Sequence, residues 1–125
     1  MKLGVLLTLN AMIALMFGLT SIFIPEIMLT IYGAETIGTE LVQMTRLFGS
    51  VVLGYAVLSW LARNAEGSDA RQAILLAFII SYLFGLIVTL FGFFSGVMGM
   101  IAWLNVVLYL IFISGYGYFR FAKQD

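Results

Sequence analysis

The chain contains no cysteine and no histidine among its 125 residues. Disulfide exchange, thiolate or imidazole ligation of a metal, and Ser-His or Cys-His nucleophilic pairs all need residues that are missing here. The two lysines, Lys2 and Lys123, lie at the two ends of the sequence, so no apolar segment carries a lysine for Schiff-base chemistry. We therefore expect a protein that is not an enzyme and that has no metal site and no cofactor.

Charged residues are also scarce, at 10% of the chain, while apolar residues make up 63%. Soluble domains contain about 25% charged and about 45–50% apolar residues. The apolar residues form four runs of about 20 to 24 residues, and helices of that length cross the ~30 Å hydrocarbon core of a bilayer. The predicted spans are 3–24, 41–61, 73–94 and 98–119. We expect an all-α fold, a four-transmembrane-helix antiparallel bundle that forms a single domain over residues 1–125.

Basic residues are absent from two of the three connections between these runs, roughly 25–40 and 95–99. Five of the six Lys and Arg residues lie instead near the two ends of the chain or in the middle connection, 62–71. Because basic residues near helix ends collect on the cytoplasmic side, we expect both termini and the middle connection in the cytoplasm. The first run exceeds the apolar region of a secretory signal, about 7–15 residues, which predicts a retained helix. These features indicate an integral protein of a bacterial inner (cytoplasmic) membrane.

The connection after the first run has the sequence features of a short helix. Pro25 is favoured in a first helical turn, and Glu26 is favourable near a helix N-terminus. Gly33 supplies the left-handed conformation that often ends a helix. We therefore expect a short interfacial helix over 25–32, after the first span.

Arg46 is the basic residue that lies inside an apolar run. An arginine at the centre of a span costs about 2.5–3.5 kcal/mol on insertion scales, so it normally has a polar partner or reaches the interface. Antiparallel threading brings other polar side chains to a similar depth, namely Glu26, Gln43, Thr89, Asn105 and Tyr109. We expect Arg46 to pair with Glu26, with Asn105 as a neutral partner. The cluster is interpreted either as a structural hydrogen-bond set or as an outer-leaflet site for the polar head of a quinone or lipid.

Small residues recur at a spacing of four in three of the runs, which lets helix backbones approach closely. These residues are Ala14 and Gly18 in the first run, Ser50 and Gly54 in the second, and Ala77, Ser81 and Gly85 in the third. They predict either packing within the bundle or a surface for a second copy or another membrane subunit. In the first run, Asn10 is a polar side chain that we expect to form a hydrogen bond between helices.

Several short motifs, mostly apolar, resemble those of a known membrane protein family. They are Leu9-Asn10-Ala11 with Phe17-Gly18, Pro25-Glu26, Ile31-Tyr32-Gly33, and Arg46-Leu47-Phe48-Gly49 followed by Gly54. Through them, nearly the whole chain resembles the DoxX-like group of small four-helix integral membrane proteins, most of which are uncharacterised. The resemblance implies a four-helix bundle with Arg46 as a recurring polar position, and some relatives act as accessory subunits or membrane chaperones. The thiol redox activity of more distant four-helix relatives does not carry over, because this chain has no cysteine.

The favoured function is that of a non-enzymatic accessory or assembly subunit of a larger membrane protein complex, acting through helix–helix contacts. Its expected partners are the lipid bilayer and another membrane subunit or a second copy. A net charge of zero provides no basic surface for nucleic acid. The alternative function is that of a binder or carrier of a lipophilic ligand, a quinone or a lipid, held by the polar cluster around Arg46.

Overall fold

A computed structural model describes residues 2–122 of the chain. All of the regular secondary structure in this part is helical. Four of its helices are long and apolar enough to span a membrane, namely Leu3–Phe23, Thr39–Ala62, Asp69–Phe94 and Ala102–Ala122. The predicted helical class and the four candidate spans are therefore confirmed. Lys123, one of the basic residues on which the predicted orientation rests, lies outside the described residues.

The helices are numbered in chain order. They are α1 (Leu3–Phe23), α2 (Pro25–Ile31), α3 (Thr39–Ala62), α4 (Asp69–Phe94) and α5 (Ala102–Gly117), and α5 continues as a π-helical turn over Tyr118–Ala122. The short helix predicted over 25–32 corresponds to α2, which has Pro25 in its first turn. Gly33 follows α2 with a φ of +97°, a left-handed conformation that glycine adopts without a Cβ clash.

The connection between α4 and α5 is longer than the sequence suggests. The prediction starts the fourth span at residue 98, whereas α5 begins at Ala102. Gly96 has a φ of +81°, and the N–H groups of Val97 and Met98 both donate to the carbonyl of Gly92, at 2.9 and 3.0 Å. These bonds fold the chain back over the end of α4. The apolar residues that follow therefore form a connection, which hydropathy alone does not distinguish from a helix.

The helices α1 and α3 pack closely and form the first helix pair. Gly18 and Gly49 face each other, because a Cβ built on Gly49 would lie 2.8 Å from the carbonyl oxygen of Gly18. Two facing glycines allow the helix backbones to approach this closely. Further along the pair, the Asn10 amide donates to the hydroxyl of Ser59 at 2.8 Å. The predicted hydrogen bond of Asn10 between helices is therefore confirmed.

The helices α4 and α5 form the second helix pair, which is packed through aromatic rings. The ring of Phe78 stacks on those of Tyr82 and Tyr116, with centroids 5.8 and 5.5 Å apart. Phe112 stacks on Tyr116 with centroids 5.8 Å apart. These rings share one buried core with apolar side chains of α1 such as Leu6.

The two helix pairs pack tightly in one half of the bundle and separate in the other. We call the two ends the Arg71 end, which carries the connection 63–68, and the α2 end, which carries α2 and the connection 95–101. The main core lies nearer the Arg71 end, where the side chains of Leu75 and Tyr116 are fully buried. In the half nearer the α2 end, the helix pairs leave a cavity between them.

The small residues predicted to pack α1 and α3 divide between inward and outward positions. Ala14 and Gly18 of α1 are buried. Ser50 and Gly54 of α3 are exposed, and a Cβ built on Gly54 would have no atom within 4 Å. The close contact on α3 is made by Gly49 instead, one residue before the predicted Ser50.

The stripe of small residues predicted on α4 does not form one continuous outer surface. Ala77 is exposed, whereas Ser81 and Gly85 line the cavity. Two of the three residues therefore face the interior of this chain. Contact of this stripe with a second chain stays a prediction.

Candidate ligand-binding site

A cavity of about 910 Å³ lies between the two helix pairs in the half of the bundle nearer the α2 end. Pockets that bind small molecules usually measure ~300–1,000 Å³. All four spanning helices and α2 contribute to its lining, which is mostly apolar. The polar lining side chains include Asn10, Tyr32, Tyr55, Ser81, Tyr82, Asn105 and Tyr109. Apolar walls with a few convergent hydrogen-bonding groups are the usual composition of a ligand pocket.

The floor of the cavity, in the middle of the bundle, is a hydrogen-bond network centred on Asn10, which is 2% exposed. The Asn10 Nδ2 donates to Ser59 Oγ at 2.8 Å, and Tyr82 Oη donates to Asn10 Oδ1 at 2.7 Å. A buried amide without partners would be costly, and these two bonds compensate for its burial. The network connects α1, α3 and α4, so it fixes the polar floor across both helix pairs.

A second polar contact joins α3 and α4 beside this floor. The hydroxyls of Tyr55 and Ser81 lie 2.9 Å apart, so one of them donates to the other. The Tyr55 ring also meets the ring of Phe78 edge-on, with centroids 5.4 Å apart. Ser81 is therefore a polar lining residue as well as a small residue that brings two helices together.

Tyr109 of α5 reaches across the cavity to α4. A Cβ built on Gly85 would lie 2.9 Å from the Tyr109 hydroxyl oxygen, so the glycine makes room for the end of this side chain. Within residues 2–122, the Tyr109 hydroxyl has no hydrogen-bond partner. The cavity therefore contains a hydroxyl group that is free to bond to a ligand.

At the α2 end of the cavity, two connections are joined by four residues that we call the Tyr32 clasp, namely Tyr32, Gly33, Gly99 and Asn105. The Tyr32 hydroxyl donates to Asn105 Oδ1 at 2.6 Å, and the Gly99 N–H donates to the Tyr32 carbonyl at 3.1 Å. A Cβ built on Gly33 would lie 2.9 Å from the backbone nitrogen of Gly99, so the two connections touch through their backbones. The clasp therefore ties the connection after α2 to the second helix pair.

The Tyr32 hydroxyl remains protonated over a wide pH range. The pKa of Tyr32 is raised from 10.0 to about 12, mainly by burial and also by neighbouring Tyr109, while the hydrogen bond to Asn105 acts to lower it. The pKa is higher in the folded state, so the protonated hydroxyl stabilises the folded protein. This contribution is complete below pH 10.0 and is lost as the pH rises through about 12. The clasp should therefore stay closed at physiological pH.

On the α3 side, the cavity is not covered by a neighbouring helix. Met44, Phe48 and Val51 line it and are nevertheless 63%, 54% and 58% exposed. All three lie within a helix that is long and apolar enough to span a membrane. In a bilayer, this opening would lead to lipid chains rather than to water.

The polar cluster predicted around Arg46 divides between the cavity and the surface. Asn105 and Tyr109 line the cavity, whereas Gln43 is exposed and Thr89 is buried away from the cavity lining. The residues were predicted to cluster because they lie at a similar depth, but their helices do not turn all of them toward one site.

Arg46 has a different partner from the one predicted. Its Nε donates to the carbonyl of Ile22 at 3.3 Å, and its side chain is exposed. Glu26 is exposed as well, and the ion pair predicted between the two is not formed among the described residues. The long side chain of arginine lets its charge reach the interface from a position inside a span, so it needs no acidic partner.

Three tyrosines of the site were not among the predicted polar residues. Tyr55 and Tyr82 lie inside predicted spans, where they count as apolar, and Tyr32 lies in the connection 25–40. Ser81 was predicted, but as a small packing residue. A search for tyrosines inside predicted spans would have found Tyr55 and Tyr82. Tyrosine is costly to bury without a hydrogen-bond partner, so such positions indicate a polar interior.

A family model described as a domain of unknown function, DUF8292, matches residues 1–119. No curated protein and no solved structure matches the chain. The resemblance to the DoxX-like group stays a prediction. Since the family model covers nearly the whole sequence, the chain belongs to the DUF8292 family, whose function is unknown.

Proposed function

We propose that this protein binds a lipophilic molecule inside the membrane and acts as a binder or carrier of that molecule, not as an enzyme. The observation that carries the proposal is the cavity of about 910 Å³, with its polar floor at Asn10 and its clasp at Tyr32. An occupant would add dispersion contacts with the apolar lining and so stabilise the bundle. The opening bordered by Phe48 gives such an occupant access from the bilayer.

The proposal includes the predicted membrane arrangement, an antiparallel bundle with both termini and residues 62–71 in the cytoplasm of a bacterial cell. Its support is the charge distribution, since Arg63 and Arg71 lie at the Arg71 end and no basic residue occurs in 25–40 or 95–101. In this orientation, the cavity lies in the outer half of the inner membrane. A probe attached at Thr36 should then be labelled from outside the cell only.

The binding proposal can be tested with two matched substitutions of glycine by leucine. Gly85→Leu places a large side chain in the cavity, where even a Cβ would meet Tyr109. Gly54→Leu adds the same side chain at an exposed position of α3 with no atom within 4 Å of the Cβ. Each variant is extracted from native membranes, and its bound non-protein molecules are identified by mass spectrometry.

We expect the wild-type protein and Gly54→Leu to retain the same lipophilic molecule at a fixed stoichiometry. Gly85→Leu should lose it while remaining helical by circular dichroism. Retention of the molecule by Gly85→Leu, or a wild-type protein with no bound molecule, would contradict the proposal.

A second candidate function, that of an accessory or assembly subunit, is supported by the outward position of Ser50 and Gly54 on α3. Small residues on a lipid-facing helix allow the backbone of another helix to approach. Under this proposal, Gly54→Leu should remove a second subunit or second copy detected by native mass spectrometry, and Gly85→Leu should keep it. The two glycine variants therefore separate the two candidate functions.

A further inference from the structure

We infer that the cavity takes a single-chain amphiphile whose head group is uncharged and presents hydrogen-bond acceptors, such as a monoacylglycerol. This inference rests on the proposed binding function and specifies the ligand's chemistry. It follows from the charges that line the cavity, from the donors that remain free inside it, and from the way it opens.

No basic side chain lines the cavity in the described part of the chain. Arg46 belongs to α3, which forms one wall, but its guanidinium bonds outside the cavity to the carbonyl of Ile22. The charged lining residue is Glu35, which is exposed in the connection after α2. A phosphate head group at the floor would lack a counter-charge in a low-dielectric site. Anionic lipids are therefore disfavoured.

The lining offers more hydrogen-bond donors than its internal bonds use. The Tyr109 hydroxyl has no partner among the described residues. In the pair formed by Tyr55 and Ser81, one hydroxyl donates and the other keeps its own hydrogen. Ester carbonyl and hydroxyl oxygens of a neutral head group would accept from these donors.

The size of the cavity favours a ligand with one chain. Its volume of about 910 Å³ is within the range of pockets that hold one small molecule, and Asn10 and Tyr82 form its floor. The Tyr32 clasp joins two connections at the α2 end, while the exposed lining residues of α3 leave a side open. A chain that extends past Phe48 would therefore continue into the bilayer.

The test compares two probes that differ by a phosphate group alone, monooleoylglycerol and the lysophosphatidate with the same oleoyl chain. Their affinities for the purified, delipidated full chain are measured in detergent by native mass spectrometry. We expect monooleoylglycerol to bind at least about 10-fold more tightly, because each tenfold corresponds to about 1.4 kcal/mol and burying an unpaired charge costs more than that. Tyr109→Phe should weaken monooleoylglycerol binding about 3- to 10-fold, as loss of one hydrogen bond does.

The control variant is Tyr118→Phe, which removes a hydroxyl from a 54% exposed tyrosine near the Arg71 end and should leave both affinities unchanged. Equal binding of the two probes, or tighter binding of the lysophosphatidate, would overturn the inference and leave the binding function standing. If neither probe binds and no other lipophilic molecule co-purifies, the binding function fails as well. If Tyr109→Phe does not fold, the relative affinity of the two probes for the wild-type chain still tests the inference.

Discussion

The two halves of the bundle are built from the same helices but are packed in different ways. Nearer the Arg71 end, Leu75, Phe78 and Tyr116 are each at most 1% exposed and share one core with side chains of α1. Nearer the α2 end, the corresponding space is a cavity, and lining residues such as Met44 and Phe48 are more than half exposed. The closed half can hold the fold, which leaves the open half available for a ligand.

The difference arises from the side chains that face the interior. In the closed half, the rings of Phe78 and Tyr116 stack and fill the space between helices. In the open half, Gly18 lets the backbones of α1 and α3 approach, and Gly85 leaves room for the end of the Tyr109 side chain. Neither glycine fills the space between the helix pairs. Stability and binding should therefore respond to different substitutions.

The largest expected effect is on stability, from Phe78→Ala in the closed half. Truncation of a buried phenylalanine typically costs about 3–5 kcal/mol, since it removes stacking contacts and leaves a cavity. The measurement is the free energy of unfolding in mixed detergent micelles. Phe91→Ala on the same helix is the control, because Phe91 is 75% exposed and its truncation should cost less than about 0.5 kcal/mol. Similar costs for the two variants would remove the distinction between a closed core and an outer surface.

A smaller loss of stability is expected from Gly49→Ala at the crossing of α1 and α3. The added Cβ would lie 2.8 Å from the carbonyl oxygen of Gly18, so the helices must move apart, at a cost of about 1–3 kcal/mol. Gly54→Ala is the matched control on the same helix and should be neutral or stabilising. If Gly49→Ala is as stable as Gly54→Ala, the close backbone approach does not hold the first helix pair together.

Tyr82→Phe tests the boundary between the two halves, because it removes the donor to Asn10 and keeps the stacked ring. Hydrogen bonds between helices in membrane proteins contribute about 0.6 kcal/mol on average and up to about 1.7. We expect a loss of stability in that range in the same unfolding assay. Tyr118→Phe, at an exposed position, should change nothing, and an equal effect of the two would show that the floor network does not contribute.

The smallest expected effect on stability is that of Tyr32→Phe, which breaks the side-chain bond of the clasp at the α2 end. One half-buried hydrogen bond contributes about 0.5–1.5 kcal/mol, and the backbone bond from Gly99 is retained. Its main consequence should be local. Amide exchange in residues 95–101 should become faster, while exchange in the closed half stays unchanged. Unchanged exchange in 95–101 would mean that the side-chain bond does not hold this connection in place.

The spans could be predicted from the sequence because length and hydropathy alone define a helix that fits a bilayer. The site could not be predicted in the same way. It depends on which face of each helix turns inward, and Tyr55 and Tyr82 count as apolar in a hydropathy pattern. Arg46 drew attention through its charge, but its long side chain allows it to leave the interior. Asn10 was identified because an amide within a span needs a partner wherever it lies.

The most direct measurement is photochemical labelling of the protein in membranes with a monooleoylglycerol that carries a photoreactive group on its chain. Labelled positions are mapped by mass spectrometry, with and without an excess of unlabelled monooleoylglycerol. If the ligand binds in the cavity, we expect adducts on lining residues such as Val52, Leu108 and Phe112. An excess of unlabelled monooleoylglycerol should abolish these adducts. Adducts confined to outward residues such as Val88 and Phe91, and insensitive to the excess, would contradict binding between the two helix pairs.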